Sequence, residues 1–435
     1  MVSRSNVGAE VATRERVAWV MYDFANSGYT TVVLTSIFNA YFVAVVAGGF
    51  GSGGATLLWT LTVALGNVLV LLSAPVLGAI ADYRAAKKPI LLFTTIACVV
   101  STGLLAFVGE GDVALGIALL VVSFVMFASG ENLIAAFLPE IAPSRGMGRL
   151  SGYGWGVGYF GGLLTLALCF GYINFAEHRG HSASQFVPVT LVITAMVFAL
   201  AATPTFLWLD ERAVALRPVN GRINYLKTGF GAIRRTLGEA RRFRDLFRFL
   251  TALIVIQAGV STVVVVAAIY VQEVLGVGAA GLVRMLMVVN VAAAAGALTI
   301  GHIQDRYGSI RALLIALVIW IVAIILVLKA DTADDIWPAA NLIGVAMGSG
   351  QAAGRALVGQ LTPVARTAEF FGLWGFANRL AAILGPVSYG LISYTTGGNQ
   401  RVAILSTLTF FVLGLVLLLR VDEARGQRAA ADPAS

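Results

Sequence analysis

The chain has 435 residues, of which 58% are hydrophobic and only 12% charged, with a mean hydropathy of +0.86. A soluble domain carries about 25% charged residues, so this composition excludes a soluble globular protein, a disordered chain and a disulfide scaffold. The net charge of +8 needs no nucleic-acid partner, because membrane proteins keep basic residues on their cytoplasmic side.

The apolar residues come in long blocks, and twelve spans of about 20 residues fit in this length. The first block, Val17–Ala47, is too long for a secretory signal and carries Asp23 and Asn26, so it is read as helix 1. The following spans are expected at Leu57–Ala81, Pro89–Val108, Val113–Leu138, Leu150–Ile173 and Phe186–Leu209. A polar stretch, 210–248, separates them from six more at Phe249–Leu275, Gly281–Ile303, Ile310–Lys329, Ile336–Leu361, Phe370–Thr395 and Val402–Leu419. Turn chemistry marks the breaks, as in Gly48–Gly54 and Thr395–Asn399.

Lysine and arginine set the orientation. Twenty-four of the 30 fall in the tails and in the 2–3, 4–5, 6–7, 8–9 and 10–11 connections. Both termini are therefore expected in the cytoplasm, in a bacterial-type inner or plasma membrane. Cys98 and Cys169 lie in apolar blocks, and three scattered histidines suggest no metal site. No cofactor is implied.

The two halves repeat. Gly78-x3-Asp82 follows helix 2 and Gly301-x3-Asp305 follows helix 8, while Pro139 closes helix 4 and Pro363 closes helix 10. The expected organisation is an N-terminal six-helix bundle at 17–209, a basic cytoplasmic linker at 210–248 and a C-terminal six-helix bundle at 249–420. This describes the major facilitator architecture, an all-α membrane fold of two pseudo-symmetric bundles.

The run from Gly301 to Arg311 contains Asp305, Arg306 and Gly308 and resembles the loop motif of the major facilitator superfamily. Its carboxylate suits a latch, pairing with an arginine or capping a neighbouring helix. The first-half copy carries Gly78, Asp82 and Arg84, with Ala85 where a glycine is usual. These residues are expected to gate the cytoplasmic side.

A narrower resemblance rests on Tyr22-Asp23-Phe24-Ala25-Asn26-Ser27. It is similar to the Tyr-Asp-Trp-Ala-Asn-Ser stretch of the autophagy-related vacuolar amino-acid effluxers and their bacterial relatives. Phe137–Ala142, Gly158–Gly162, Arg355, Glu369–Gly372 and Gly385-Pro386 also resemble that family. The resemblance implies efflux of a small polar solute, an amino acid first. The chain departs from the family at Gln257-Ala258-Gly259, where Asn-Asp-Gly is usual, and at Ala135, where an asparagine is usual.

The residues carry their own reading. A carboxylate inside a membrane helix costs about 2.5–3.5 kcal/mol on insertion scales and faces a cavity or a partner. Asp23, Asn26, Ser27 and Thr30 fall on one helix face. Asp23 either pairs with Arg14 or Arg16 near the helix end or serves as a cavity acid or proton carrier. Glu131, with Asn132 beside it, and Arg355 lie eight residues before Pro139 and Pro363, so the repeat makes Glu131 and Arg355 equivalent. With Gln257 on helix 7, they converge on a central cavity, or else Glu131 and Arg355 form a structural bridge. Trp374, Asn378 and Arg379 form a second polar face on helix 11. The glycine runs of helices 5 and 10 lack the Gly-Lys-Ser/Thr of a phosphate loop and suit close helix packing.

The chain is therefore expected to be a monomeric secondary transporter that works by alternating access, driven either by proton coupling through Asp23 or Glu131 or by simple facilitated flux. Its linker either sets topology or meets anionic lipids. Rival readings are a multidrug or sugar exporter and a lipid-handling translocase. No nucleophile–base pair supports an enzyme.

Overall fold

The computed structural model describes residues 11–213, 234, 238–239, 241–275, 279–397 and 400–432. Most of the linker expected at 210–248, including Arg217, Arg222, Lys227 and Arg235, lies outside the described residues.

In the first half, the long helices are α1 Thr13–Tyr29, α2 Gly51–Arg84, α3 Lys87–Leu104, α4 Val113–Ala135, α5 Met147–Glu177 and α6 Ala183–Trp208. In the second they are α7 Arg244–Leu275, α8 Ala279–Tyr307, α9 Ser309–Lys329, α10 Ile336–Leu361, α11 Thr367–Thr395 and α12 Gln400–Leu418. A short α13 follows at Glu423–Ala431. Among the described residues, 11 helical segments are long and apolar enough to cross a membrane. The twelfth expected span, α10, is a 26-residue helix whose glycines, Gln351 and Arg355 dilute its apolar character. Exposed Phe93, Leu200 and Val387 sit on outward faces, where lipid is the solvent.

Helix 1 is not the unbroken span expected over Val17–Ala47. After Tyr29 it widens to π-helix over Thr30–Thr35, resumes as α-helix over Ile37–Tyr41 and widens again over Phe42–Val46. Local hydroxyls explain the first change. Thr31 donates to the Ser27 carbonyl at 2.9 Å and Thr35 to the Thr31 carbonyl at 2.9 Å. Such back-bonding competes with the regular ladder, and β-branched residues crowd it.

The packing repeats with the sequence. α1 packs on α5 and α6, α2 on α4, and α3 on α4 and α6. In the second half, α7 packs on α11 and α12, α8 on α10, and α9 on α10 and α12. Between the halves, α2 meets α11 and α5 meets α8.

One end of the molecule carries most of the arginines and lysines, and it is called the basic end below. Acids there cap helices in matching places. Glu211 accepts the backbone N–H groups of Lys87 and Lys88 at the start of α3, at 2.8 and 3.0 Å. Glu423 accepts those of Ser309 and Ile310 at the start of α9, at 2.9 and 3.2 Å. Each acid supplies the negative charge that a helix N-terminus favours. Beside them, Arg212 holds Glu15 through two bonds of 2.7 and 3.0 Å, and Arg425 holds Asp245 through two of 2.6 and 2.7 Å. The Asp-Glu-Arg of 210–212 and the Asp-Glu-Ala-Arg of 422–425 are thus a further copy of the repeat.

Candidate functional site: a central cavity above a closed basic end

The loop-motif acids reach across the molecule. Asp82 accepts the backbone N–H of Ala368 at 3.0 Å and of Glu369 at 2.7 Å, at the N-terminus of α11. Asp305 accepts those of Gly148 at 3.0 Å and Arg149 at 3.2 Å, at the N-terminus of α5, and pairs with Arg149 Nε at 2.9 Å. Each half therefore caps a helix of the other. Gly78 makes the approach possible, because any Cβ there would run into the Ala368 carbonyl. Gly301 packs likewise against the Gly148 carbonyl.

The two latches differ in burial. Lys87 is fully buried among Asp82, Glu140 and Thr367, whose hydroxyl receives the ammonium at 2.7 Å. Arg149 is half-exposed. Arg84, Arg306 and Arg311 are exposed, and Arg306 lies on the Tyr307 ring. Gly308 provides a positive-φ turn, as its place in the motif requires. Ala85, at the matching place in the first-half copy, adopts the left-handed conformation with φ +49, which costs any residue with a Cβ.

One step inward stands a second contact between halves. Arg355 on α10 is 2% exposed and pairs with Asp23 on α1 at 2.8 Å. Its guanidinium also donates to Ser151 Oγ at 3.1 Å and to the Ser151 carbonyl at 3.0 Å. It lies 4.6 Å from the Trp19 ring centre and 5.3 Å from that of Trp155. Gly154 leaves the room: a Cβ there would strike both the Asp23 carboxylate and the Arg355 guanidinium.

This geometry decides against two of the alternatives that the sequence left open. Asp23 does not pair with Arg14 or Arg16, because its carboxylate points to the other half of the molecule. Arg355 does not bridge to Glu131 either. Glu131 pairs instead with Arg379 of α11, at 3.3 Å. The repeat equates Glu131 with Arg355 by position, but equivalent positions on α4 and α10 take different partners here.

Above the Asp23–Arg355 pair is a cavity of about 180 Å³ between α4, α5, α7, α10 and α11. Glu131, Asn132, Gln257, Arg355, Trp374, Asn378 and Arg379 all line it. Asp23, Asn26, Ser27 and Thr30 are absent from that lining; Asp23 touches it only through its partner Arg355. Ser27 turns toward α5, donating to the Asp23 carbonyl at 2.7 Å and lying against Gly158. The polar stripe of helix 1 is therefore largely a packing stripe, apart from Asp23. Residue spacing shows a shared face but not which neighbour that face meets.

Among the lining residues that escaped sequence reading are three with hydrogen-bonding side chains: Trp155, Gln351 and Ser261. Trp155 is set in the glycine run of α5, where a large aromatic among small residues marks a gap filled from one side. Gln351 accepts from Tyr159 at 2.8 Å, which leaves its amide N–H₂ for other partners. Two donors at the cavity, Trp155 Nε1 and Asn132 Nδ2, are buried without a hydrogen-bond partner. Buried donors are nearly always paired, so this is where an incoming acceptor would be held. Chemically, the site offers one carboxylate, one accessible guanidinium, several amides and two indoles. Among the described residues no group of three or more His, Cys, Asp or Glu could hold a metal ion.

The family described as "Vacuole effluxer Atg22 like" matches residues 55–431. The MFS-type transporter YxiO of Bacillus subtilis (strain 168) is 29% identical over 414 residues, spanning 94% of this chain and 95% of that protein. Autophagy-related protein 22-1 of Aspergillus niger is 23% identical, over 65% of this chain, which spans about half (48%) of that longer protein. Among solved structures, the proton:xylose symporter XylE superposes with a TM-score of 0.75 at 13% identity, over 97% of this chain and 98% of that one. The human organic anion transporter MFSD10 gives 0.72 at 14% identity, over 93% and 99%. At such identity the fold alone is shared, and it is the all-α, multi-pass membrane fold of the major facilitators. With the family match covering most of its length, the chain belongs to the Atg22-like branch of the major facilitator transporters.

Proposed function

We propose that the protein is a secondary active transporter that moves a small polar solute without net charge, an amino acid first, out of the cytoplasm. The observation that carries this reading is the cavity in which Glu131 and Arg379 face each other at 3.3 Å, both partly accessible. An α-ammonium suits Glu131 and an α-carboxylate suits Arg379, so a zwitterion would replace the pair with two pairs of its own. The effluxer description of the family and the names of the fungal relatives point the same way.

In this reading the basic end faces the cytoplasm, as do both termini, and the membrane is a bacterial-type inner or plasma membrane. The bundles at 17–209 and 249–420 rock about the cavity, and the present conformation is shut on the cytoplasmic side. Asp23 is the proton carrier. Protonated, it holds Arg355 less tightly, and the basic end opens more readily. The protein acts as a monomer, and the linker at 210–248 meets anionic lipid.

A second substrate class has its own support. Trp155 and Trp374, with the amides of Asn132, Gln257, Gln351 and Asn378, would suit a hydroxylated ring such as a monosaccharide. A lipid-handling role finds less support, because Arg355 is buried and Glu131 lines the cavity rather than the lipid face.

The deciding experiment is a thermal-shift screen of amino acids, peptides and sugars on the purified protein, followed by flux of any hit in proteoliposomes. An amino acid should shift the melting temperature, and its flux should fall at least tenfold in Arg379→Ala and Glu131→Gln, as loss of a charge-assisted contact predicts. A sugar hit whose flux ignores Arg379→Ala would sink the zwitterion reading.

A further inference from the structure

Two indoles flank the Arg355 guanidinium, and they are not held alike. Trp19 Nε1 donates to the Ile134 carbonyl at 2.7 Å, so that ring is tied to the backbone of α4. Trp155 Nε1 is buried, has no hydrogen-bond partner and lines the cavity. Its ring centre stands 5.3 Å from the same guanidinium. Elsewhere in the cavity lining, Asn132 Nδ2 is a second unpaired donor, on a residue 8% exposed.

We infer that Trp155 couples the cavity to the Asp23–Arg355 pair: its ring face positions the guanidinium, and its free N–H donates to an acceptor oxygen of the solute. This rests on the cavity being the solute site. An indole is rigid, so its edge and its face move as one body. A solute that captures the edge therefore fixes or tilts the face against Arg355. Arg355 in turn holds Asp23 and Ser151 of the other half. Trp19 cannot serve this purpose, because its N–H is already committed. Trp155 is a positioning residue for the Asp23–Arg355 pair and a contact residue for the solute, and the two roles separate by substitution.

Phenylalanine at 155 keeps a ring face and deletes the donor. Methionine fills much of the volume and deletes both. Spin labels at Arg145→Cys and Tyr307→Cys, exposed positions in opposite halves at the basic end, report its opening by pulsed dipolar distance measurement in nanodiscs. The native Cys98 and Cys169 are buried and stay in place. Without solute, Trp155→Met should shift the distribution to longer distances while Trp155→Phe stays with the unsubstituted protein. In proteoliposomes, Trp155→Phe should raise the KM for L-leucine by about five- to tenfold at unchanged maximal rate, the equivalent of one neutral hydrogen bond.

The inference is overturned if Trp155→Met leaves the distances unchanged, if Trp155→Phe opens as far as Trp155→Met, or if Trp155→Phe carries L-leucine with the original KM. Should Trp155→Met fail to purify as a monodisperse protein, the KM of Trp155→Phe decides alone. A parent protein that carries none of the screened amino acids sinks the amino-acid reading above, and the distances then decide the coupling on their own.

Discussion

Asparagine at position 23 removes one charge from the contact that holds the basic end shut, and its effect can be sized from the geometry. Arg355 is 2% exposed, so it has almost no water to fall back on when its carboxylate is lost. Removing one partner of a buried pair costs about 3–5 kcal/mol. The asparagine carbonyl retains one acceptor for the guanidinium, and a hydrogen bond to a charged group returns about 1.5–3 kcal/mol. The net loss is about 1–3 kcal/mol, or a factor of about 5 to 150 in an equilibrium constant. Because Asp23 and Arg355 belong to opposite halves, this loss falls on the closed state and favours opening at the basic end. Label distances between positions 145 and 307 should lengthen in Asp23→Asn at neutral pH. An Asp23→Asn protein that keeps short distances and transports at the original rate would refute this account of Asp23.

Three other outcomes follow from the packing. Gly154→Ala drives a methyl group into the Asp23 and Arg355 side chains and should destabilise the closed state by about 1–3 kcal/mol, seen as lost transport in a protein that still purifies. Ala85→Gly relieves a left-handed backbone at φ +49 and should gain about 1 kcal/mol, read as a higher melting temperature. Glu211→Ala and Glu423→Ala each remove a carboxylate bonded to two N-terminal N–H groups, of α3 and α9 respectively, and each should cost about 1 kcal/mol. Melting curves that separate the two variants by much more than that would refute the equivalence of the two caps.

The sequence stated some of this directly and left other parts silent, for physical reasons. Long apolar blocks and the placement of arginine and lysine are one-dimensional signals, and α2 to α12 follow them closely. The capping role of Asp82 and Asp305 was legible because the loop motif ties a carboxylate to a helix end. Pairing was not legible. Asp23, Glu131, Arg355 and Arg379 are two acids and two bases on four helices, and several pairings satisfy charge. Only the rotation of α1 and α11 decides that Asp23 takes Arg355 and Arg379 takes Glu131. Lys87 reads as one more topogenic cation, yet it is fully buried between Glu140 and Thr367. Trp155 was hidden by its glycine-rich surroundings, which speak of packing. The break in helix 1 comes from threonine and serine hydroxyls whose targets are backbone carbonyls, and spacing alone does not show that choice.

The latches at Asp82 and Asp305 have a consequence for how this protein tolerates change. Each carboxylate grips main-chain N–H groups, which every residue except proline supplies. At the Asp82 latch the receiving positions, Ala368 and Glu369, can therefore drift in side chain, within the space available, without loosening the grip. The constraint there is written on one side of the contact only. The Asp305 latch is less free, because a Cβ at Gly148 would meet the Asp305 carboxylate and the Gly301 carbonyl, and Arg149 adds its own side-chain bond to Asp305. A search for compensating substitutions between the halves would pass over the Asp82 latch, although it joins them directly. A proline at 368 should break what an ordinary substitution there would not.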